Sequence, residues 1–205
     1  MNWRCARVSA LLAATVVTFK AADGVVLHAD YAPGNPTLIM VHGVGAGRGE
    51  YETFASTMQA RGWGTLALDL RWHGRSDDVD WRLAVRDILA AARFVGKKKE
   101  IVLMGGSIGA NLCSQAVGSL PNARALVLLS PGADYRGIGL SRFPSRTLAS
   151  SSPADGYAYA TVQKLQSLVK VDVLEAKSGH GAQMLADPAF TKALADWLDH
   201  QRSGS

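Results

Sequence analysis

The stretch Gly105-Gly106-Ser107-Ile108-Gly109 follows an apolar run at residues 101–104 and precedes a helix-like run at residues 110–117. A serine between a strand and a helix, with glycine two residues before it and two after it, is typical of a sharp turn that exposes the serine hydroxyl. Glycine has no Cβ, so neighbouring backbone can pass close to such a turn. We therefore predict that Ser107 is a nucleophile. A Gly-rich turn without a catalytic role has the same local pattern, so the prediction depends on what surrounds it.

Along the rest of the chain, apolar runs alternate with amphipathic runs, and no internal repeat or long linker interrupts them. The predicted strands lie at residues 15–19, 25–31, 38–41, 65–70, 101–105, 125–130, 146–150 and 171–176. The predicted helices lie at residues 50–61, 81–95, 110–117, 157–169 and 188–200. Strands separated by helices indicate a mainly parallel sheet that is covered by helices on both faces. We expect a single α/β domain at residues 15–205.

The composition limits the classes of protein to consider. A chain of 205 residues with 48% hydrophobic and 19% charged residues suits one globular domain. The formal net charge is +5, but apart from the run at residues 97–99 the basic residues are scattered, so we expect a small-molecule partner and no nucleic acid. Cys5 and Cys113 cannot form a disulfide framework, and no metal-ligand spacing is present, so no metal or cofactor is expected.

Residues 1–14 are interpreted as a leader or a short signal segment. Arg4 and Arg7 precede an apolar stretch at residues 8–17, and Ala13-Ala14 supplies small residues of the kind found before a cleavage point. The stretch is too short to span a bilayer, so no membrane span is expected. A cytoplasmic location is slightly favoured over a periplasmic or secreted one, and a monomer and a homodimer both stay open.

A serine nucleophile needs a general base that works near neutral pH, which points to histidine. His180 lies between glycines in a loop that follows the last predicted strand. A carboxylate must hold this base in the correct tautomer, and the chain order serine, acid, histidine places that acid between Ser107 and His180. We favour Asp155, in a turn-rich loop before a helix, where capping of the helix is the alternative role. The other candidates are Asp134, Asp172 and Glu175.

An ester hydrolase also needs backbone N–H groups where negative charge develops on the substrate oxygen. One of them is expected from Ile108, directly after the nucleophile. The second is expected from Val44, in the glycine-rich loop that follows the strand at residues 38–41. We expect His42 to orient this loop, and we predict that His42, Gly43 and Trp72 contribute to substrate binding.

Several pieces of the sequence resemble the α/β-hydrolase superfamily, and they occur in the order that this family has. They are His42-Gly43, Asp69-Leu70-Arg71-Trp72-His73-Gly74-Arg75-Ser76, Gly105-x-Ser107-x-Gly109, and the loops that carry Asp155 and His180. The second piece resembles the family's D-x-R-G-H-G-x-S segment, except that Trp72 stands where glycine is usual. In that family the segment shapes a loop, so the resemblance implies a structural role for His73. Because tryptophan replaces this glycine, the resemblance does not predict the backbone conformation at Trp72.

The resemblance is closest to small, cap-less esterases and to dienelactone-hydrolase-like proteins. A dienelactone hydrolase is expected to use cysteine as nucleophile, and the serine at position 107 favours ordinary ester hydrolysis instead. Residues 131–145 are too few for a cap domain. The resemblance therefore implies an α/β-hydrolase fold without a cap, and a serine carboxylesterase that acts on small, short-chain esters without a cofactor. A thioesterase, an amidase, an acyltransferase and a non-catalytic binding protein remain alternatives.

Overall fold

The computed structural model describes residues 13–74 and 80–202. Its strands are β1 (Thr15–Lys20), β2 (Val26–Ala32), β3 (Thr37–Val41), β4 (Gly64–Leu68), β5 (Ile101–Gly106), β6 (Ala123–Leu129), β7 (Asp134–Tyr135), β8 (Ile138–Gly139), β9 (Thr147–Ser151) and β10 (Asp172–Glu175). Its α-helices are α1 (Glu52–Ala60), α2 (Val85–Val95), α3 (Ile108–Ala116), α4 (Gly156–Leu168) and α5 (Pro188–Arg202). Most of the leader predicted at residues 1–14 lies outside the described residues.

The central sheet of the described chain has the strand order β1-β2-β4-β3-β5-β6-β9-β10. The β1–β2 and β2–β4 pairs are antiparallel, and every later neighbouring pair in the sheet is parallel. Strands β3, β4, β5 and β9 are buried along their whole length, as expected for strands covered on both faces. The prediction of a mainly parallel sheet is confirmed.

Successive side chains of the buried strands point to opposite faces of the sheet and so contribute to two hydrophobic cores. In β3, Ile39 and Val41 pack in the core beneath α2, α3 and α4. Leu38 and Met40 pack in the core beneath α1 and α5. Helices therefore cover both faces, as the sequence predicts.

The structure differs from the sequence prediction mainly at the ends of elements. The helices predicted at residues 50–61 and 81–95 each begin as a short 3-10 turn, at Arg48–Tyr51 and Trp81–Leu83. The β7–β8 hairpin was not predicted, because strands of two residues carry no readable alternation. This hairpin lies between β6 and β9, and in the described part of the chain no cap domain covers the sheet, as predicted.

A buried charge network fixes the loop that follows β4. The Arg71 side chain is fully buried and donates to both carboxylate oxygens of Asp87 at the start of α2, to Oδ1 at 2.7 Å and to Oδ2 at 3.1 Å. It also donates to Asp23 at 3.1 Å, in the turn between β1 and β2. One guanidinium thus joins the antiparallel edge of the sheet, the β4 loop and α2. Such a pair is costly to break, because removing one partner leaves the other charge buried without compensation.

We therefore expect Arg71→Met to lower the free energy of unfolding by about 3–5 kcal/mol, since Asp87 would lose its buried counter-charge. Urea unfolding of the wild type and the variant measures the difference. The matched control is Arg124→Met, which removes an arginine paired with Glu100 at the surface and should cost at most about 1 kcal/mol. Equal, small losses in the two variants would contradict this account of the network.

Candidate active site

Ser107 lies on a sharp turn between β5 and α3, with φ 55° and ψ −126°. The positive φ is uncommon for a residue with a side chain. The flanking glycines permit the turn, because a Cβ on Gly105 would lie 2.2 Å from the Gly109 carbonyl oxygen. A Cβ on Gly109 would lie 2.4 Å from the Val41 carbonyl oxygen, at the end of β3. Backbone therefore occupies the positions where side chains would stand, and Ser107 is held at the carboxyl end of β5.

The buried side chain of Tyr51 joins the ends of the two strands that meet at this turn. Its hydroxyl donates to the Val41 carbonyl oxygen at 2.9 Å. A Cβ on Gly106 would lie 3.1 Å from the same hydroxyl, so the phenol also packs directly on the end of β5. Burial raises the pKa of Tyr51 well above its ordinary value, so the phenol stays neutral.

His180 and Asp155 form a hydrogen-bonded pair at the same edge of the sheet. His180 Nδ1 lies 2.6 Å from Asp155 Oδ2. Asp155 precedes α4, but its side chain makes no capping hydrogen bond there, so its carboxylate serves the histidine. The loops of the two residues are joined, because the Ser152 hydroxyl donates to the Gly179 carbonyl oxygen at 3.2 Å.

The other acids that the sequence offered have different partners. Asp134 accepts the Gly137 N–H at 2.7 Å and so closes the turn of the β7–β8 hairpin. Asp172 accepts the Trp197 indole N–H at 2.8 Å. Glu175 is a hydrogen-bond partner of Tyr159. Geometry thus brings Asp155, and none of these three, to His180.

The loop that carries His180 packs against the turn that carries Ser107. A Cβ built on Gly181 would lie 3.6 Å from the Ser107 amide nitrogen. The Gly181 N–H donates to the Ser130 hydroxyl at 2.9 Å, and the Ser107 N–H donates to the Leu129 carbonyl oxygen at 2.8 Å. The end of β6 therefore holds both the histidine loop and the serine turn, and it keeps the two side by side.

The loop after β3 is held from below by two histidines. His42 is fully buried, and its Nδ1 donates to the Gly43 carbonyl oxygen at 2.7 Å while its Nε2 accepts the Leu70 N–H at 3.1 Å. His73 Nε2 accepts the Gly45 N–H at 3.0 Å. Burial lowers the pKa of His42 to about 4, so its ring is neutral and keeps this donor–acceptor arrangement. The His42 ring thus contacts the loop backbone beneath the site.

The same loop brings Gly43 next to Ser107 and carries Val44 directly after it. A Cβ on Gly43 would lie 3.1 Å from the Ser107 Cβ. Val44 is 48% exposed, and among the described residues its N–H has no hydrogen-bond partner. Ile108 is the first residue of α3, where a backbone N–H has no partner within the helix. Ile108 thus directly follows Ser107, and Val44 lies in the loop whose Gly43 contacts Ser107.

Trp72, which stands where glycine is usual in the resemblance, has the kind of backbone that glycine adopts most easily. Its φ is 61°, and its ring packs on His73, with the ring centroids 4.8 Å apart. The side chain is partly buried against the core. The last two residues of the quoted segment, Arg75 and Ser76, lie outside the described residues.

The remaining residues of the segment 69–76 that the structure describes hold the Asp69 carboxylate beneath the loop after β3. A Cβ on Gly74 would lie 2.0 Å from an Asp69 carboxylate oxygen, so only glycine fits there. The other oxygen of Asp69 accepts the Arg48 backbone N–H at 2.8 Å, and the Arg48 side chain pairs with the same carboxylate. The segment therefore acts as a structural support.

Sequence reasoning missed Tyr135, which lies in the hairpin after β6. Its ring meets the His180 ring edge-on, with the centroids 6.4 Å apart and the planes at 81°. Its hydroxyl donates to the Ser130 carbonyl oxygen at 3.2 Å and also faces the Ser107 hydroxyl. Burial raises the pKa of Tyr135 to about 12. The one signal in the sequence is its place just after a parallel strand, at the edge where ligands bind.

Asn111, in α3, fixes this hairpin to that helix. Its side-chain amide donates to the Gly132 and Ile138 carbonyl oxygens, at 2.8 and 2.7 Å, and its oxygen accepts the Gly132 N–H at 3.2 Å. A fully buried amide that is satisfied in this way holds its neighbours in one arrangement. The position of Tyr135 is therefore set by α3.

Glu50 is a second residue of the site that sequence reasoning missed. It lies near the loop after β3. Burial raises the pKa of its carboxyl, although the Gly43 N–H favours the ionised form. Glu50 lines a cavity of about 430 Å³ that continues past Ala182 and Gln183 toward the start of α5. A hydrogen bond from the His180 N–H to the Gln183 side chain, at 3.1 Å, borders this cavity.

Comparisons with known proteins agree with this architecture. The sequence model of the alpha/beta hydrolase family matches residues 38–204. No curated protein sequence matches the chain. An esterase of Pyrococcus furiosus superposes with a TM-score of 0.77 at 15% identity, over 94% of this chain and 92% of that one. An esterase of Exiguobacterium antarcticum superposes with a TM-score of 0.75 at 14% identity, over 90% and 100%.

A fungal protein gives the same result. The alpha/beta hydrolase GrgF of a Penicillium species superposes with a TM-score of 0.73 at 14% identity, over 94% of this chain and 99% of that one. At such identities the likeness shows the fold. Within the described residues, no helix is long and apolar enough to cross a membrane, and no cluster of His, Cys, Asp or Glu is suited to hold a metal.

His42 makes the stability of the fold depend on pH. Its pKa is about 4 in the folded protein and 6.5 in an ordinary setting, so the unfolded chain binds the proton first as the pH falls. The contribution is fully present above pH 6.5 and should decrease by about 3 kcal/mol as the pH falls to 4. Urea unfolding across this range measures it.

The control is His42→Gln, which keeps a donor and an acceptor but does not titrate. Its unfolding free energy should fall less steeply between pH 6.5 and 4 than that of the wild type. Parallel curves for the two proteins would show that His42 is not buried as a neutral ring.

Proposed function

Because the chain belongs to the α/β hydrolase family, we propose that it is a serine carboxylesterase that hydrolyses small, short-chain carboxylic esters. The observation that carries the proposal is the 2.6 Å pair of His180 and Asp155, seated beside a serine whose backbone φ is 55°. A strained serine, a histidine and an orienting carboxylate are the parts needed for acyl transfer. The structurally similar Pyrococcus and Exiguobacterium proteins are both esterases, which favours an ester as the substrate.

The first half of the proposed reaction forms an acyl-enzyme. His180 takes the proton of the Ser107 hydroxyl as its oxygen attacks the ester carbonyl, and Asp155 stabilises the resulting imidazolium. The carbonyl oxygen becomes an oxyanion and accepts hydrogen bonds from the Val44 and Ile108 N–H groups. The bond to the alcohol then breaks, and His180 returns its proton to the departing alkoxide.

The second half releases the acid. Water takes the place of the alcohol, and His180 removes one of its protons as the water oxygen attacks the acyl carbonyl. The same two N–H groups hold the second oxyanion. The Ser107 oxygen leaves with the proton from His180, which restores the resting enzyme. Every proton moves between substrate, water and side chains of this chain.

The preference for small substrates rests on the shape of the site. Residues 130–146 connect β6 to β9 and are tied down onto α3, since the Ser114 carbonyl oxygen accepts the Arg142 N–H at 3.1 Å and the Gln115 side chain donates to Gly139. The connection therefore does not extend over Ser107 as a lid. A long acyl chain would find little apolar surface to bury.

We expect Ser107→Ala to abolish hydrolysis of p-nitrophenyl esters and Asp155→Asn to lower kcat by about 10⁴-fold, because the histidine would lose its tautomer and its counter-charge. Hydrolysis of a series of p-nitrophenyl esters from acetate to palmitate measures both effects. The wild type should act fastest on the shortest acyl chains.

Asp134→Asn is the matched control, because it changes a carboxylate at the same edge of the sheet that contacts the hairpin turn and not His180. It should retain most of the wild-type activity. A crippled Asp134→Asn variant beside an active Asp155→Asn variant would overturn the assignment of the acid. An inactive wild type that binds esters without turnover would favour a binding protein over an enzyme.

A further inference from the structure

Tyr135 borders both side chains that move protons in the proposed reaction. Its phenol faces the Ser107 hydroxyl, and its ring lies 6.4 Å from the His180 ring, centroid to centroid. Tyr135 therefore lies beside both Ser107 and His180.

The sheet order places Tyr135 across Ser107 from the oxyanion donors. The Val44 loop follows β3 and the Tyr135 hairpin follows β6, while Ser107 follows β5, which lies between them. Neighbouring strands are about 4.8 Å apart, so the Val44 loop and the Tyr135 hairpin approach Ser107 from opposite sides. The leaving oxygen of an ester must lie within reach of His180, which protonates it. In the strand order, Tyr135 lies on the same side of Ser107 as His180 and on the opposite side from the Val44 loop.

On the basis of the esterase function proposed above, we propose that Tyr135 is a further catalytic residue, whose hydroxyl donates a hydrogen bond to the leaving oxygen of the ester. As the tetrahedral intermediate collapses, the bond from carbon to the alcohol oxygen breaks and its electron pair goes to that oxygen. His180 supplies the proton. Tyr135 keeps its own proton and stabilises the developing charge until the transfer is complete.

The resting contacts of the phenol suit this role. Its 3.2 Å bond to the Ser130 carbonyl oxygen is longer than the roughly 2.7–2.8 Å of a strong O–H···O bond. It is therefore weak enough to be exchanged for a bond to substrate. Because burial raises the pKa of Tyr135 to about 12, the phenol remains protonated at neutral pH and is a hydrogen-bond donor.

The ring is held in place before substrate arrives. Tyr157 packs against it, with centroids 5.6 Å apart, and the Tyr157 hydroxyl bonds both the N–H and the carbonyl oxygen of Asp134, at 3.0 and 2.8 Å. A Cβ on Gly132 would lie 2.6 Å from the Tyr135 ring, so the backbone at Gly132 also packs on this ring. A donor fixed in this way loses little freedom when it binds the transition state.

The test is Tyr135→Phe, measured as kcat/KM on p-nitrophenyl, phenyl and ethyl esters of one short acid. The ethyl ester should lose about 10-fold or more, because ethoxide is strongly basic and depends on the hydrogen bond. The p-nitrophenyl ester should lose less than about 3-fold, because its leaving oxygen is weakly basic and needs little help. The loss should therefore increase with the basicity of the leaving group.

Tyr157→Phe is the matched control, since it also removes one phenol hydroxyl and keeps the ring, and the Tyr157 hydroxyl bonds the hairpin at Asp134. It should change kcat/KM by the same factor for all three esters. If Tyr135→Phe also lowers all three equally, or changes none, the proposed role of Tyr135 is overturned while the esterase function stands. If the wild type hydrolyses none of the esters, the esterase function fails, and the role of Tyr135 fails with it.

Discussion

The left-handed backbone of Ser107 is the constraint on which the rest of the site depends. For a residue with a side chain, such a conformation costs on the order of 1–3 kcal/mol and persists only where the surroundings enforce it. Here the conformation is enforced by close backbone contacts. The chain turns from β5 into α3 so tightly that Gly105 contacts Gly109, and Gly109 contacts the end of β3 at Val41. The serine oxygen is thereby held at a fixed point where three loops converge.

A second strained residue, Ser130, supports those loops from the neighbouring strand. Its φ is 51°, its N–H donates to the Ser150 carbonyl oxygen at 2.7 Å, and its hydroxyl accepts the Gly181 N–H at 2.9 Å. Its carbonyl oxygen accepts the hydroxyl of Tyr135. One buried serine at the end of β6 therefore contacts the strand before the acid loop, the histidine loop and the hairpin. Strain at two adjacent strand ends is what brings distant parts of the chain to one place.

Much of this arrangement could be predicted from the sequence, because the relevant signals are local or ordered along the chain. The serine turn needs small residues at fixed spacing, so the pentapeptide around Ser107 shows it directly. His180 stands out because its loop joins the last strand to the last helix. The sequence favours Asp155 over Asp134 because Asp155 lies in a turn-rich loop between a strand and a helix, and the structure gives the two acids different partners.

Other parts of the site were not predictable, because they depend on contacts between residues far apart in sequence. Tyr135 lies in a hairpin too short to have a periodic pattern, and its place is set by Asn111 across 20 to 30 residues of chain. Trp72 was noticed as a departure from the family's glycine, but its positive φ depends on packing against His73 and the core. Likewise, whether His42 faces substrate or backbone depends on its burial, which the pattern of the sequence does not give.

The most direct test of the central claim is a crystal structure of the protein after reaction with an alkyl fluorophosphonate, which mimics the tetrahedral intermediate. The account predicts a covalent bond from phosphorus to the Ser107 oxygen. It also predicts a phosphonyl oxygen about 2.7–3.1 Å from the Val44 and Ile108 nitrogens. A phosphonate bound to another residue, or one whose oxygen points away from both N–H groups, would contradict it.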